Sequence, residues 1–118
     1  MTSFINTVFI RNEGHLGGAV FSDAFEDGEA IPQFIDCDFL ENRAVSLMIP
    51  DVDTIKIEIG DGGAAYNFGS EGGLCRSQFM RCNFENNIST GSGGSILNNG
   101  TNGICDPIFS NCEFKRNV

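Results

Sequence analysis

The sequence predicts an all-β chain wound from a repeated unit, and three observations predict it. The first is self-similarity: Phe34-Ile35-Asp36-Cys37-Asp38-Phe39-Leu40-Glu41-Asn42 recurs as Phe79 to Asn87, as Phe109 to Asn117 and, with Thr7 in the cysteine place, as Phe4 to Asn12. The second is spacing. The closing asparagines Asn12, Asn42, Asn87 and Asn117 are separated by 30, 45 and 30 residues, a 30-residue period with one 15-residue insertion. The third is composition: 118 residues hold 11 Phe, one Tyr and no Trp, and eight of those Phe fall in the four repeats. An ordinary mixed core does not need that bias, whereas a stack of equivalent units does.

Each element follows from the repeat. Upstream, Gly28/Ala30/Pro32, Gly73/Cys75/Ser77 and Gly103/Cys105/Pro107 stay in phase, so the motifs cover 28–42, 73–87 and 103–117, with 4–12 the corresponding part of the first. Within them the positions Ile5/Thr7/Phe9, Ile35/Cys37/Phe39, Met80/Cys82/Phe84 and Ser110/Cys112/Phe114 alternate with residues that are mostly Asp, Asn, Glu or Arg. That alternation predicts a strand with one buried face. Asn and then Gly-Gly close each strand at a sharp corner. A second short strand is expected at Ala19 to Phe21, Ala64 to Phe68 and Ser95 to Leu97. The spacing of the Gly-Gly pairs puts the insertion between Asn42 and Gly62, at about 45–59. No segment joins apolar i, i+3, i+4 spacing to enough glycine-free length for a helix.

Equivalent strands about 30 residues apart, with other strands between them, stack most simply as successive turns of a coil. Because parallel crossovers are right-handed in about 98% of cases, the expectation is a right-handed parallel β-helix, or solenoid, of about four turns. Phe39, Phe84 and Phe114 then form one internal stack, with Cys37, Cys82 and Cys112 in a neighbouring inward column. Asn12, Asn42, Asn87 and Asn117 form an amide ladder along one corner.

Composition bounds the rest. Sixteen acidic against seven basic residues give a net charge of -9, which excludes a basic nucleic-acid surface as the default partner site. No apolar run approaches the ~18 residues that span a bilayer, so no transmembrane segment is expected. Met1 to Asn12 has no basic region ahead of an apolar core, so no signal peptide is expected within it. With 41% hydrophobic residues, 1–118 is read as a single domain or a fragment of a longer one, since the chain begins and ends inside a motif.

The F-x-x-N motif followed by Gly-Gly-Ala-aliphatic resembles the polymorphic outer membrane protein repeats of chlamydial type, and more broadly the right-handed β-helix regions of pectin-lyase-like proteins. Phe9-Ile10-Arg11-Asn12 with Gly17-Gly18-Ala19-Val20 matches both halves, and Phe84-Glu85-Asn86-Asn87 with Gly93-Gly94-Ser95-Ile96 departs only at Ser95. The likeness covers nearly the whole chain except 43–60. It implies an extracellular or cell-surface passenger involved in adhesion; fold is the stronger implication and function the weaker.

Each candidate site also has a plain structural role open to it. The five cysteines read as small core fillers, with a Cys75–Cys105 bridge as the alternative, since neighbouring rungs hold α-carbons near bonding range. The insertion reads as a hairpin with a Pro-Asp turn, projecting to bind through Asp51, Asp53, Lys56 and Glu58, or else a flap packing Ile55, Ile57 and Ile59 on the coil side. Asp51, Asp53 and Asp61 are the candidate Ca²⁺ oxygens; no other cofactor is expected. For catalysis the candidates are Asp36, Asp38 and Arg81, a faint match to the carboxylates and basic residue of polysaccharide-cleaving β-helices. Glu113 joins them in the alternative reading, a solvated strand face. His15, the only histidine, reads as an exposed loop residue. The resulting expectation is a non-enzymatic surface or secreted β-solenoid segment, adhesin-like, whose partners are host or environmental proteins or glycans. Neighbouring turns of a longer parent, or end-to-end self-association, would cover its end rungs. The rival is a polysaccharide lyase or glycoside hydrolase.

Overall fold

The computed structural model describes residues 2–50 and 52–118. Among them every regular element is a strand, and no helix occurs. The strands fall on five successive faces that the chain visits in order. The first face holds Ser3–Ile5, Gln33–Ile35, Gln78–Met80 and Ile108–Ser110, and the second Val8–Ile10, Asp38–Leu40, Asn83–Glu85 and Glu113–Lys115. Glu13–Gly14, Arg43–Ala44 and Ile88–Ser89 make the third. Val20–Asp23, Ala65–Phe68 and Ile96–Asn99 make the fourth, and Glu29–Ala30, Leu74–Cys75 and Ile104–Cys105 the fifth.

Every pairing within these faces is parallel and in register with the repeat: Phe4 lies on Phe34, Phe34 on Phe79 and Phe79 on Phe109. On the fourth face the long step comes one turn earlier, Val20 pairing with Ala65. The two faces together confine the extra residues to the third corner of the second turn. There Leu47–Pro50 and Ile55–Glu58 form an antiparallel hairpin, the one departure from parallel pairing among the described strands. This all-β arrangement of stacked parallel rungs is consistent with a β-solenoid.

The core is a pair of phenylalanine columns. Phe34, Phe39, Phe79 and Phe84 are fully buried. Rings stack 4.9–5.1 Å apart from Phe4 through Phe34 and Phe79 to Phe109, and 4.7 Å apart from Phe9 through Phe39 and Phe84 to Phe114. The two columns meet edge to face, as between Phe34 and Phe39 at 5.6 Å and 67°. Each fully buried ring contributes roughly 2–3 kcal/mol by area alone, and the geometry matches the preference of aromatic quadrupoles.

One expectation about the strands is corrected. The inward residue of the first face is Phe4, Phe34, Phe79 or Phe109, while Ile5 is 58% exposed. The motif is not one alternating strand but two short ones, because Asn6, Asp36, Arg81 and Asn111 adopt φ of 51–53° and reset the alternation. The next corner does the same at Arg11, Glu41, Asn86 and Arg116, the residue before each ladder asparagine. The second short strands also begin one residue later than expected, at Val20, Ala65 and Ile96. Of each Gly-Gly pair the first is left-handed, and a β-carbon on Gly17, Gly62 or Gly93 would collide with the carbonyl of Val20, Ala65 or Ile96.

Candidate functional site

An amide ladder runs along the asparagine corner. The backbone N–H and Nδ2 of Asn12 both donate to Asn42 Oδ1, at 3.1 and 3.0 Å. Asn42 donates in the same way to Asn87, and Asn87 to Asn117, at 2.9–3.0 Å. Each Nδ2 from Asn42 onward also donates to a backbone carbonyl on the second face of the preceding rung, Phe9, Phe39 or Phe84, at 2.9 Å. Asn42 and Asn87 are fully buried with all of this satisfied.

The thiols of Cys37, Cys82 and Cys112 point inward and donate to the carbonyls of Phe4, Phe34 and Phe79 at 3.3 Å. Burial pushes the Cys82 thiol up to about 12. Cys75 and Cys105 are direct register partners on the fifth face, and all five cysteines carry free thiols. Burial first, and the neighbouring Cys75 second, push Cys105 up to about 11.

Of the three weak catalytic candidates, two come together. Arg81 Nε donates to Asp36 Oδ1 at 2.7 Å and its Nη2 to Oδ2 at 3.0 Å, a bidentate pair joining two left-handed corners on successive rungs. The hydrogen bond from Arg81 holds the Asp36 carboxyl below its ordinary range, and Asp36 raises the guanidinium. Asp38 sits on the second face, in register with Val8 and Asn83, away from that corner pair. Glu113 continues the same row above Asn83. Similar cross-rung pairs join Arg11 to Glu41 at 3.1 Å and Arg43 to Glu13 at 3.4 Å. With Asn12, Asn86 and Ile88 these line a shallow lateral groove of about 570 Å³.

The hairpin separates its residues by face. Met48, Ile55, Ile57 and Ile59 are 56–68% exposed, so the apolar row lies in solvent and is not packed on the coil as a flap would be. Lys56 and Glu58 lie on the opposite side and pair at 2.9 Å; the Lys56 bond holds the Glu58 carboxyl below its usual range. Glu58 also lies 3.6 Å from His15 Nε2, while His15 Nδ1 donates to Val45 O at 3.1 Å. His15 is therefore half-buried at the hairpin base rather than a free loop residue. Asp51 lies outside the described residues, and Asp53 is exposed at the tip. Asp61 is engaged at the base, accepting from the Ser92 amide at 2.6 Å. Among the described residues no group of three or more His, Cys, Asp or Glu is placed to hold a metal ion.

One grouping escaped the sequence reading. The three phenylalanines outside the repeat, Phe21, Phe25 and Phe68, and the single Tyr66 gather on the outward side of the fourth face. The signal available was that these aromatics lie outside every motif yet recur near the second strand.

Comparison with known families matches residues 81–99 to the Chlamydia polymorphic membrane protein repeat. That span runs from the Arg81 corner through Phe84 and Asn87 to Gly93-Gly94-Ser95-Ile96 and the end of the third strand on the fourth face. It is narrower than the near-complete likeness expected from the motifs. No curated protein and no solved structure matches the chain. The repeat match points to a surface-associated outer membrane protein segment. Among the described residues no helix is long and apolar enough to cross a membrane.

Proposed function

We propose that 1–118 is a single domain, or part of one, of a right-handed parallel β-helix displayed at a cell surface or secreted. It is adhesin-like and non-enzymatic: the coil extends, and its lateral face and inserted hairpin bind proteins or glycans of a host or the surroundings. The observation that carries this reading is the hairpin, an apolar row of Met48, Ile55, Ile57 and Ile59 exposed to solvent on an arm that leaves the stacked rungs. Exposed apolar patches on a scaffold mark interaction sites, and loops on solenoids collect on binding faces. The repeat match at 81–99 supports the surface setting. Calcium enters this reading only as a candidate at Asp51, Asp53 and Asp61.

Retention of the purified chain on immobilised host cells, extracellular proteins and polysaccharides tests it. Retention should fall at least tenfold when 45–59 are deleted. Undiminished retention would sink the hairpin reading. New reducing or unsaturated ends on a polysaccharide, abolished by Asp36→Ala or Arg81→Ala, would overturn the non-enzymatic one.

A further inference from the structure

The outward side of the fourth face carries the aromatics that the repeat does not explain. Phe21 and Phe25 are 45% and 44% exposed, and Phe68 is half-buried between them. Phe25 stacks on Phe68 at 5.8 Å and 13°, and Phe21 lies 6.1 Å from Phe68 and 5.5 Å from Tyr66. Tyr66 is buried beneath them, its hydroxyl accepting from Asn99 Nδ2 at 3.1 Å, so the rings rest on a fixed base.

The rim of this platform has one sign. Asp23 is in register with Phe68, and its Oδ1 accepts from the Phe25 amide at 2.9 Å. Glu26, Asp27 and Glu71 are exposed on the adjoining corner, where the Asp27 amide donates to Glu71 O at 3.2 Å. No Lys or Arg lies between Arg11 and Arg43, and between Arg43 and Arg76 only Lys56 does, out on the hairpin and paired with Glu58.

We propose that this aromatic platform docks an arginine-bearing segment of a partner polypeptide. Aromatic faces are negative and attract a cation held over them, and a guanidinium plane stacks on a ring while its edge donors remain free for carboxylates. The rim supplies those carboxylates at Asp23, Glu26, Asp27 and Glu71. An anionic glycan is repelled by the same rim, and a neutral one leaves its charge unused. This surface is separate from the hairpin, so the two readings stand or fall independently.

The probe is octa-arginine, titrated into the isotopically labelled full chain at low salt and followed by NMR. Saturable shifts are expected at the rings of Phe21, Phe25 and Phe68 and at the amides of residues 23–28. Affinity should fall about two- to fivefold in Phe25→Ala and further in the Phe21→Ala/Phe25→Ala double variant, whose charge is unaltered. Both rings are half-exposed, and an unchanged backbone spectrum checks that the variants fold; Phe25→Tyr should retain binding. Deleting 45–59 should leave the titration as it was. Equal affinity in the double variant would mean net charge alone draws the peptide, and would overturn the proposal. So would ring shifts with maltohexaose but not octa-arginine, which would make the platform a saccharide site.

Discussion

Asn87 joins three successive rungs through one side chain. Its Oδ1 takes two donors from Asn42, and its Nδ2 serves Asn117 and the Phe39 carbonyl. Asn87→Ala leaves buried donors of Asn42 without an acceptor and should cost roughly 2–4 kcal/mol, read as a drop in the urea midpoint. Asn12→Ala, at an exposed rung, should cost less. The thiols give a pH prediction. The folded-state pKa of Cys82 is raised to about 12 and of Cys105 to about 11, whereas in the unfolded chain both ionise near the ordinary ~8.5. The unfolded state therefore binds fewer protons at these two thiols at alkaline pH, so their contribution to stability is level below about pH 8.5 and declines as pH rises toward 11–12. Cys82→Ala should flatten that decline in denaturation curves recorded at successive pH values. Residue chemistry also marks what the sequence could reveal. Asn6, Asp36 and Asn111 are types that tolerate a left-handed backbone, but Arg81, Arg11, Glu41 and Arg116 do not advertise one. A strict two-residue alternation thus passes over the corner and turns the Phe34/Phe79 column outward, where the structure has it in the core.

At the scale of elements, the hairpin was legible because an insertion shows itself against a constant period. What the period could not show was its packing: an alternating Ile row fits a flap as well as a projecting arm, and only the exposure of Ile55, Ile57 and Ile59 separates them. Removing Val45–Ile59 restores the five-residue Asn-to-Gly spacing of the first turn, Asn12 to Gly17. The shortened chain should keep its far-UV spectrum and cooperative unfolding, since the rungs on either side pair independently of the arm. Loss of cooperativity would mean the contacts of His15 with Val45 and Glu58 brace the coil. The fourth-face platform was less legible still. Phe21, Tyr66 and Phe68 lie within the second strand, whose inward side the repeat does not specify; the parallel register and packing put Val20, Ala65 and Ile96 inward.

For the whole molecule, the stack behaves as a row of like units. Phe39 and Phe84 are fully buried between rungs, whereas Phe114, with a neighbour on one side, is 49% exposed. Phe84→Ala should therefore cost about 3–5 kcal/mol and Phe114→Ala clearly less. Inserting a second copy of 73–102 after Asn102 adds one complete rung without touching the others. It should raise both the denaturant midpoint and the m-value, as nearest-neighbour stacking requires. An unchanged midpoint with new aggregation would show that rungs are not interchangeable.

The amide ladder also has a direction. Asn12, Asn42 and Asn87 each donate to the side-chain oxygen of the ladder asparagine that follows in sequence, and none donates to the asparagine before it. Each rung thus arrives carrying the acceptor for its predecessor and presents fresh donors of its own. A chain delivered progressively, amino end first, can zip itself up behind its point of emergence, with never more than one layer of amides waiting for the next.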